Sequence, residues 1–233
     1  MKNYIYILTT FLLGQLSISC ATKSSVQDNY PKDSLVCTSN GIPKDISTLY
    51  LPYILQSSDS IIKTNLDTII NEWYSFTLFK FNEPVLSNFY LGHDTYRFLW
   101  LRAFHRPVVI TLSNDNSIVT LTTKELDGQV HYFELKRCTN CDTTNLKEPK
   151  LIINETKKLT LNEWNNFENL LTQCNFWEIP SFKREMGEDG AEWNIEAHLL
   201  GKYKFVDRWA PKGSFADCGK YLIKLSGLKE KIY

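Results

Sequence analysis

A chain of 233 residues with 26 basic and 26 acidic side chains carries a formal net charge of +0. That balance argues against a nucleic-acid footprint and against a polybasic membrane face. Its hydrophobic content of 43%, with 13% aromatics, suits one packed domain, and no internal repeat or long low-complexity tract interrupts it.

Lys2 supplies a positive start, and Ile5 to Leu16 form an apolar run. This is too short to span a bilayer, which takes about 20 apolar residues, and it reads as a secretory signal. Leu16-Ser-Ile-Ser-Cys20 ends the run with small residues at Ser17 and Ser19. Cys20 placed directly after them resembles a bacterial lipoprotein cleavage site, where the new N-terminal Cys becomes lipid-modified. The departure is Ser17, three before the Cys, where Leu is usual. Ordinary signal cleavage without lipid is the alternative. The expected organisation is a signal peptide over 1–19, a lipidated Cys20 with a flexible tether over 20–36, and one domain over 37–233. The polar, aperiodic stretch from Ala21 to about Lys32 carries the tether.

Leu66, Ile69, Ile70 and Trp73 recur at helical spacing behind Asn65, predicting a helix to about Phe79, with Pro84 barring continuation. Tyr96 to Phe104 is apolar at both parities, as expected of a strand buried on two faces. Val108–Leu112, Ile118–Thr122, Val130–Leu135 and Leu151–Ile153 read as further strands. Asn114–Ser117 and Asp127-Gly128 are turn signals between them. The connections are too short for crossovers, so the strands should form an antiparallel meander. Thr160-Leu-Asn-Glu163 is a capping box, and Leu161, Trp164, Phe167, Leu171 and Cys174 form the apolar stripe of the helix behind it, which Pro180 closes. Helices flanking a run of strands predict an α+β fold.

Near the C-terminus, Trp193, Ile195, Ala197 and Leu199 alternate with Glu192, Asn194, Glu196 and His198. The period of two predicts a strand with one buried and one solvated face. Tyr203 to Trp209 supplies its hairpin partner. A two-residue turn at Gly201-Lys202 would oppose Glu196 to Asp207, which like charges disfavour. A three-residue loop over Leu200–Lys202 opposes Trp193 to Trp209 and Ala197 to Phe205, and is the expected register. Ser214-Phe-Ala-Asp217 reads as a second capping box. Phe215, Cys218, Leu222 and Leu225 come next at helical spacing, to a stop at Gly227.

Asp189, Gly190, Trp193 and Glu196 spell DGxxWxxE. Gly201, Tyr203, Val206, Arg208, Trp209 and Pro211 spell GxYxxVxRWxP. With the closing helix, this resembles a segment of uncharacterised bacterial secreted proteins and lipoproteins. The resemblance extends upstream to Tyr96–Ile110 and to Cys174–Pro180. It implies a fold and an envelope compartment, and no activity.

Four groups of residues invite chemistry. Cys138-Thr-Asn-Cys141 has redox spacing, but a thioredoxin-like role needs the pair to follow a strand and open a helix. The next eight residues, DTTNLKEP, are loop-like, so the reading preferred is a loop whose cysteines bridge each other or stay free. Zinc would need a second ligand pair, and no second CxxC or HxxxH exists. Cys174 and Cys218 lie on stripes that should cover the same sheet, so they form either a structural disulfide or two buried thiols. Cys37 has no assignable partner. Glu192, Glu196 and His198 form a candidate surface site. Asp207 is expected on the opposite face from Glu192 and Glu196, which counts against an acid–base dyad made with it, and the group reads as a solvated strand face.

The expected function is therefore a binding or structural module, lipid-anchored to a bacterial envelope membrane, the outer one preferred, or else secreted. It uses no cofactor, metal or nucleic acid, and its membrane contact runs through the lipid. The alternatives are a hydrolase using the hairpin carboxylates and, behind it, a thiol-redox protein using Cys138 and Cys141. No GxSxG elbow, phosphate-cradling loop or HExxH occurs.

Overall fold

A computed structural model describes residues 38, 40–51, 65–87, 90–183, 187 and 189–232. The expected leader, the tether, Cys20 and Cys37 lie outside the described residues.

Six strands form one antiparallel sheet: β1 (Asp94–Arg102), β2 (Val108–Asp115), β3 (Ile118–Leu126), β4 (Leu151–Leu159), β5 (Ala191–Leu199) and β6 (Lys202–Trp209). Their order is β4-β3-β2-β1-β5-β6. The first four run as a meander. The β5–β6 hairpin then adds to the open side of β1, which places β1 in the interior. Four helices flank the sheet, α1 (Asn65–Lys80), α2 (Tyr132–Lys136), α3 (Leu161–Gln173) and α4 (Ser214–Ser226), so the fold is α+β in a single domain.

Both faces of the sheet are covered. On one, Phe98, Trp100, Ile110, Leu121, Trp193 and Val206 pack against Trp164 and Phe167 of α3 and Leu222 of α4. On the other, Leu99, Leu101, Val109 and Phe205 meet Tyr74 and Phe76 of α1, with Tyr50 and Phe81 beside it. This is why β1 reads apolar at both parities. Gly219 lets α4 approach the sheet: a Cβ there would lie 2.4 Å from the Trp193 ring.

The Thr160 capping box forms as expected, with Thr160 Oγ1 accepting from Glu163 N at 3.2 Å and Glu163 Oε2 accepting from Thr160 N at 2.7 Å. Gly227 ends α4 in the left-handed conformation, with φ 81°. Elsewhere the structure corrects the expectations. Gly213, not Ser214, is the N-cap of α4, and no side chain caps it. Val130–Leu135 is not a strand: α2 begins at Tyr132, and β4, longer than expected, takes the ladder position beside β3.

The hairpin register also differs. Leu199 pairs with Lys202 across a two-residue Leu200-Gly201 turn, with Gly201 at φ 72°. Trp193 therefore opposes Arg208, Asn194 opposes Asp207 and Glu192 opposes Trp209. Trp193 is 1% exposed, while Trp209 is half-buried on the opposite face. There its ring lies where a Cβ on Gly190 would come within 2.7 Å. Neither turn read from the hairpin alone accounts for what lies across β5 on its other side. There Glu196 opposes Arg97 of β1, a long-range pair that ties the hairpin to the interior strand.

Candidate functional site

The face of β5 expected in solvent is buried: Asn194 is 1% exposed, Glu196 1% and His198 2%. Burying a carboxylate requires partners, and Glu196 has them. Arg97 Nε donates to Glu196 Oε2 at 2.8 Å, and the Tyr203 hydroxyl donates to Oε1 at 2.9 Å. Arg97 Nη1 donates to the Pro84 carbonyl at 2.6 Å and lies 3.5 Å from Glu83 Oε2, and Lys124 Nζ reaches Glu83 Oε1 at 2.6 Å. Burial works against the Arg97 charge, but Glu196 and Glu83 together raise its pKa above the ordinary value. Burial, then the Glu196 charge, pushes the Tyr203 hydroxyl well up. His198 Nδ1 bonds the Leu86 carbonyl, which can only accept, so that nitrogen carries the proton. Glu196 and His198 are thus held by structural partners and form no surface site.

Asp207 is expected from the sequence to face away from Glu192. The observed register instead puts both on one side of the hairpin, as diagonal neighbours beneath α1. Tyr74 of α1 donates its hydroxyl to Asp207 Oδ1 at 3.2 Å, and the same hydroxyl is in hydrogen-bond contact with Glu192. One hydroxyl proton serves one carboxylate at a time, so the second contact calls for a protonated carboxyl. Accordingly, burial pushes Glu192 up to about 7. Burial and the Glu192 charge push Asp207 well above the carboxylate range. Tyr74 has no signal in the sequence beyond its place on an apolar helix face, and the pairing is hidden by the hairpin register.

This group is a pair of neighbouring carboxyls, both raised by burial, and a raised carboxyl is one requirement of acid–base chemistry. The void beside it, lined by Leu51, Ile70, Asn71, Tyr74, Phe182, Phe205 and Asp207, is about 10 Å³. That is room for one water at most.

An open cleft lies elsewhere. Between α1, α2 and residues 46–49, a cleft of about 400 Å³ is walled by Ile46, Leu49, Phe76 and Tyr132, with Ser47, Ser75, Glu72, Lys136 and Arg137 completing it. Arg137 Nη2 donates to Glu72 Oε2 at 2.6 Å, and its Nε donates to the Tyr132 hydroxyl at 3.2 Å. Tyr132 in turn donates to Glu72. Burial, then the Glu72 contact, raises the Tyr132 hydroxyl. A second cleft, of about 630 Å³, opens between Asn40, Asn82, Tyr90, His93, Lys124 and Asn154. Its Lys124 ammonium is engaged by Glu83.

Cys138 and Cys141 are bonded to each other in an exposed loop. The bond lies just past the C-terminus of α2, where Cys138 N donates to Phe133 O at 2.9 Å. A helix C-terminus disfavours a thiolate, the reverse of the thioredoxin arrangement. Cys174 and Cys218 are buried free thiols with Sγ atoms 3.7 Å apart, so the disulfide alternative is not the one adopted. The hydrogen bond to Cys174, aided by burial, pushes the Cys218 thiol far up, and the same bond lowers Cys174. Among the described residues, no group of three or more His, Cys, Asp or Glu side chains could hold a metal. No described helix is long and apolar enough to cross a membrane.

Neither a family model, a curated protein nor a solved structure matches this chain.

Proposed function

We propose that this chain is a lipid-anchored protein of the bacterial cell envelope, held by Cys20, whose domain binds a ligand without transforming it. The observation that carries the binding site is the contrast between its two polar groups. The carboxyl pair under α1 has room for no more than a water, whereas the cleft at Tyr132 and Arg137 is open and mixed in character. Apolar walls with a few convergent polar groups are what small-molecule sites offer. The ligand that fits has an apolar body lying against Ile46, Leu49 and Phe76 and a polar end meeting Arg137, Lys136 or Glu72. A tether of 20–36 spans at most about 55–60 Å when extended, so the domain works close to the membrane surface.

The second reading is a hydrolase using Glu192 and Asp207. It is favoured by one observation, the shared face and raised pKa of those carboxyls. Amide NMR spectra recorded against a library of small amphipathic compounds separate the two. Binding predicts shifts gathered at Ser47, Ser75, Tyr132 and Arg137 that Arg137→Ala weakens. Shifts gathered at Tyr74, Glu192 and Asp207 instead would favour the hydrolase, and no shifts at the cleft would sink the binding reading.

A further inference from the structure

The two edges of the sheet are treated differently. At the β6 edge, Asp207 N donates to the Ser181 carbonyl at 2.7 Å and Phe182 bridges to Asp207, so residues 181–182 cover part of that strand. Among the described residues the β4 edge has no such cover: β4 ends the strand order, and its residues 151–159 are exposed apart from half-buried Ile153 and Leu159. Among the described residues, no backbone hydrogen bond outside the β3–β4 ladder reaches 151–159. A nine-residue edge whose outward N–H and C=O groups have no backbone partner among the described residues is a template for another strand.

We infer that β4 pairs antiparallel with β4 of a second copy, centred on Thr156, to give a continuous twelve-stranded sheet (six strands from each copy). The sequence Ile153-Asn-Glu-Thr-Lys-Lys-Leu159 selects this register. Outward-pointing backbone groups recur at every second residue, so each residue must oppose one of its own parity. That leaves registers centred on a residue. Centring on Glu155 opposes Glu155 to itself, and centring on Lys157 opposes Lys157 to itself, and like charges directly opposite repel. Centring on Thr156 opposes Glu155 of each copy to Lys157 of the other, twice, and Ile153 to Leu159. It also keeps the helix-covered faces together, because Lys157 and Glu155 lie on the side of Leu121, which packs in the α3–α4 core. At the ends, Leu151 and Ile152 of one copy approach Leu161 of the other, covering apolar side chains now exposed by 37%, 47% and 46%.

Sedimentation equilibrium of the full chain, in mild detergent if it is lipidated, tests this. A reversible dimer is expected. Glu155→Lys and Lys157→Glu should each weaken it by roughly tenfold, since each replaces two attractive cross-strand pairs by two repulsive ones. The double variant Glu155→Lys with Lys157→Glu restores complementarity and should return the wild-type constant. Thr156→Cys sits on the two-fold axis and should give a covalent dimer with diamide, which takes up the two electrons and two protons the thiols release. Asn116→Cys, in the exposed β2–β3 turn, should not. All four positions are exposed, and an unchanged thermal midpoint checks the fold. A wild type that stays monomeric up to its solubility limit overturns the inference. So does a dimer indifferent to the single charge reversals.

Discussion

Arg97 and Glu196 face each other across the β1–β5 ladder, 0% and 1% exposed, with Nε 2.8 Å from Oε2. On the α1 face of the sheet, beside Tyr50 and Tyr203, this pair ties the late hairpin to the earliest strand. Arg97→Met leaves the buried Glu196 without its counter-charge and should destabilise the domain by about 3–5 kcal/mol, whereas Glu196→Gln should cost less, since Glu83 stays 3.5 Å from Arg97. The double variant Arg97→Met with Glu196→Gln should cost less than the sum. Urea unfolding of the two single variants and the double closes the cycle. Additive losses would mean that the pair is not coupled.

Gly219 lies against Trp193. In an exposed helix, Gly→Ala gains about 1 kcal/mol from propensity. Here the added Cβ would sit 2.4 Å from the indole ring, so α4 must move or Trp193 must leave its place. Gly219→Ala should therefore destabilise by about 1–3 kcal/mol, the range for overpacking. The unfolding midpoint decides the sign, and a stabilised variant would show that α4 does not pack on Trp193 in this way.

The Glu192–Asp207 pair should be visible in the pH dependence of stability. Glu192 is raised from 4.5 to about 7 in the folded state, so between those values the folded chain binds more protons than the unfolded one. Stability then falls as pH rises through that window. Asp207, also raised, acts in the same direction. Glu192→Gln cannot ionise and escapes its share of the loss. Its stability relative to wild type should improve from about pH 5 to about pH 8, either side of that window, read as the difference in urea midpoints. A difference that does not change with pH would place the Glu192 carboxyl in water.

The lipid anchor is tested by cell fractionation. Cys20→Ala should move the protein from the membrane to the soluble fraction, because nothing else in the proposed arrangement holds it there. A variant as firmly membrane-bound as the wild type would end the lipoprotein reading.

Local signals are legible in the sequence where a few neighbouring residues settle the matter among themselves. The Thr160–Glu163 box satisfies its own backbone donors, and Gly227 supplies the left-handed stop that a Cβ would oppose. The strand at Tyr96 announces two buried faces because both of its parities are apolar. Glu192, Asn194, Glu196 and His198 announce the opposite, since polar residues at alternate positions describe a solvated face. Only the tertiary structure shows that face buried, against Arg97 from 99 residues earlier and Tyr74 of α1. The two-residue Leu200-Gly201 turn puts Asp207 beside Glu192 on that same face, where Tyr74 of α1 meets them. Val130–Leu135 loses its expected place in the sheet to Leu151–Leu159, a competition that neither segment encodes alone. Caps and stops are written locally because their hydrogen bonds close within a turn. Strand register and the burial of charge depend on partners that only folding brings together.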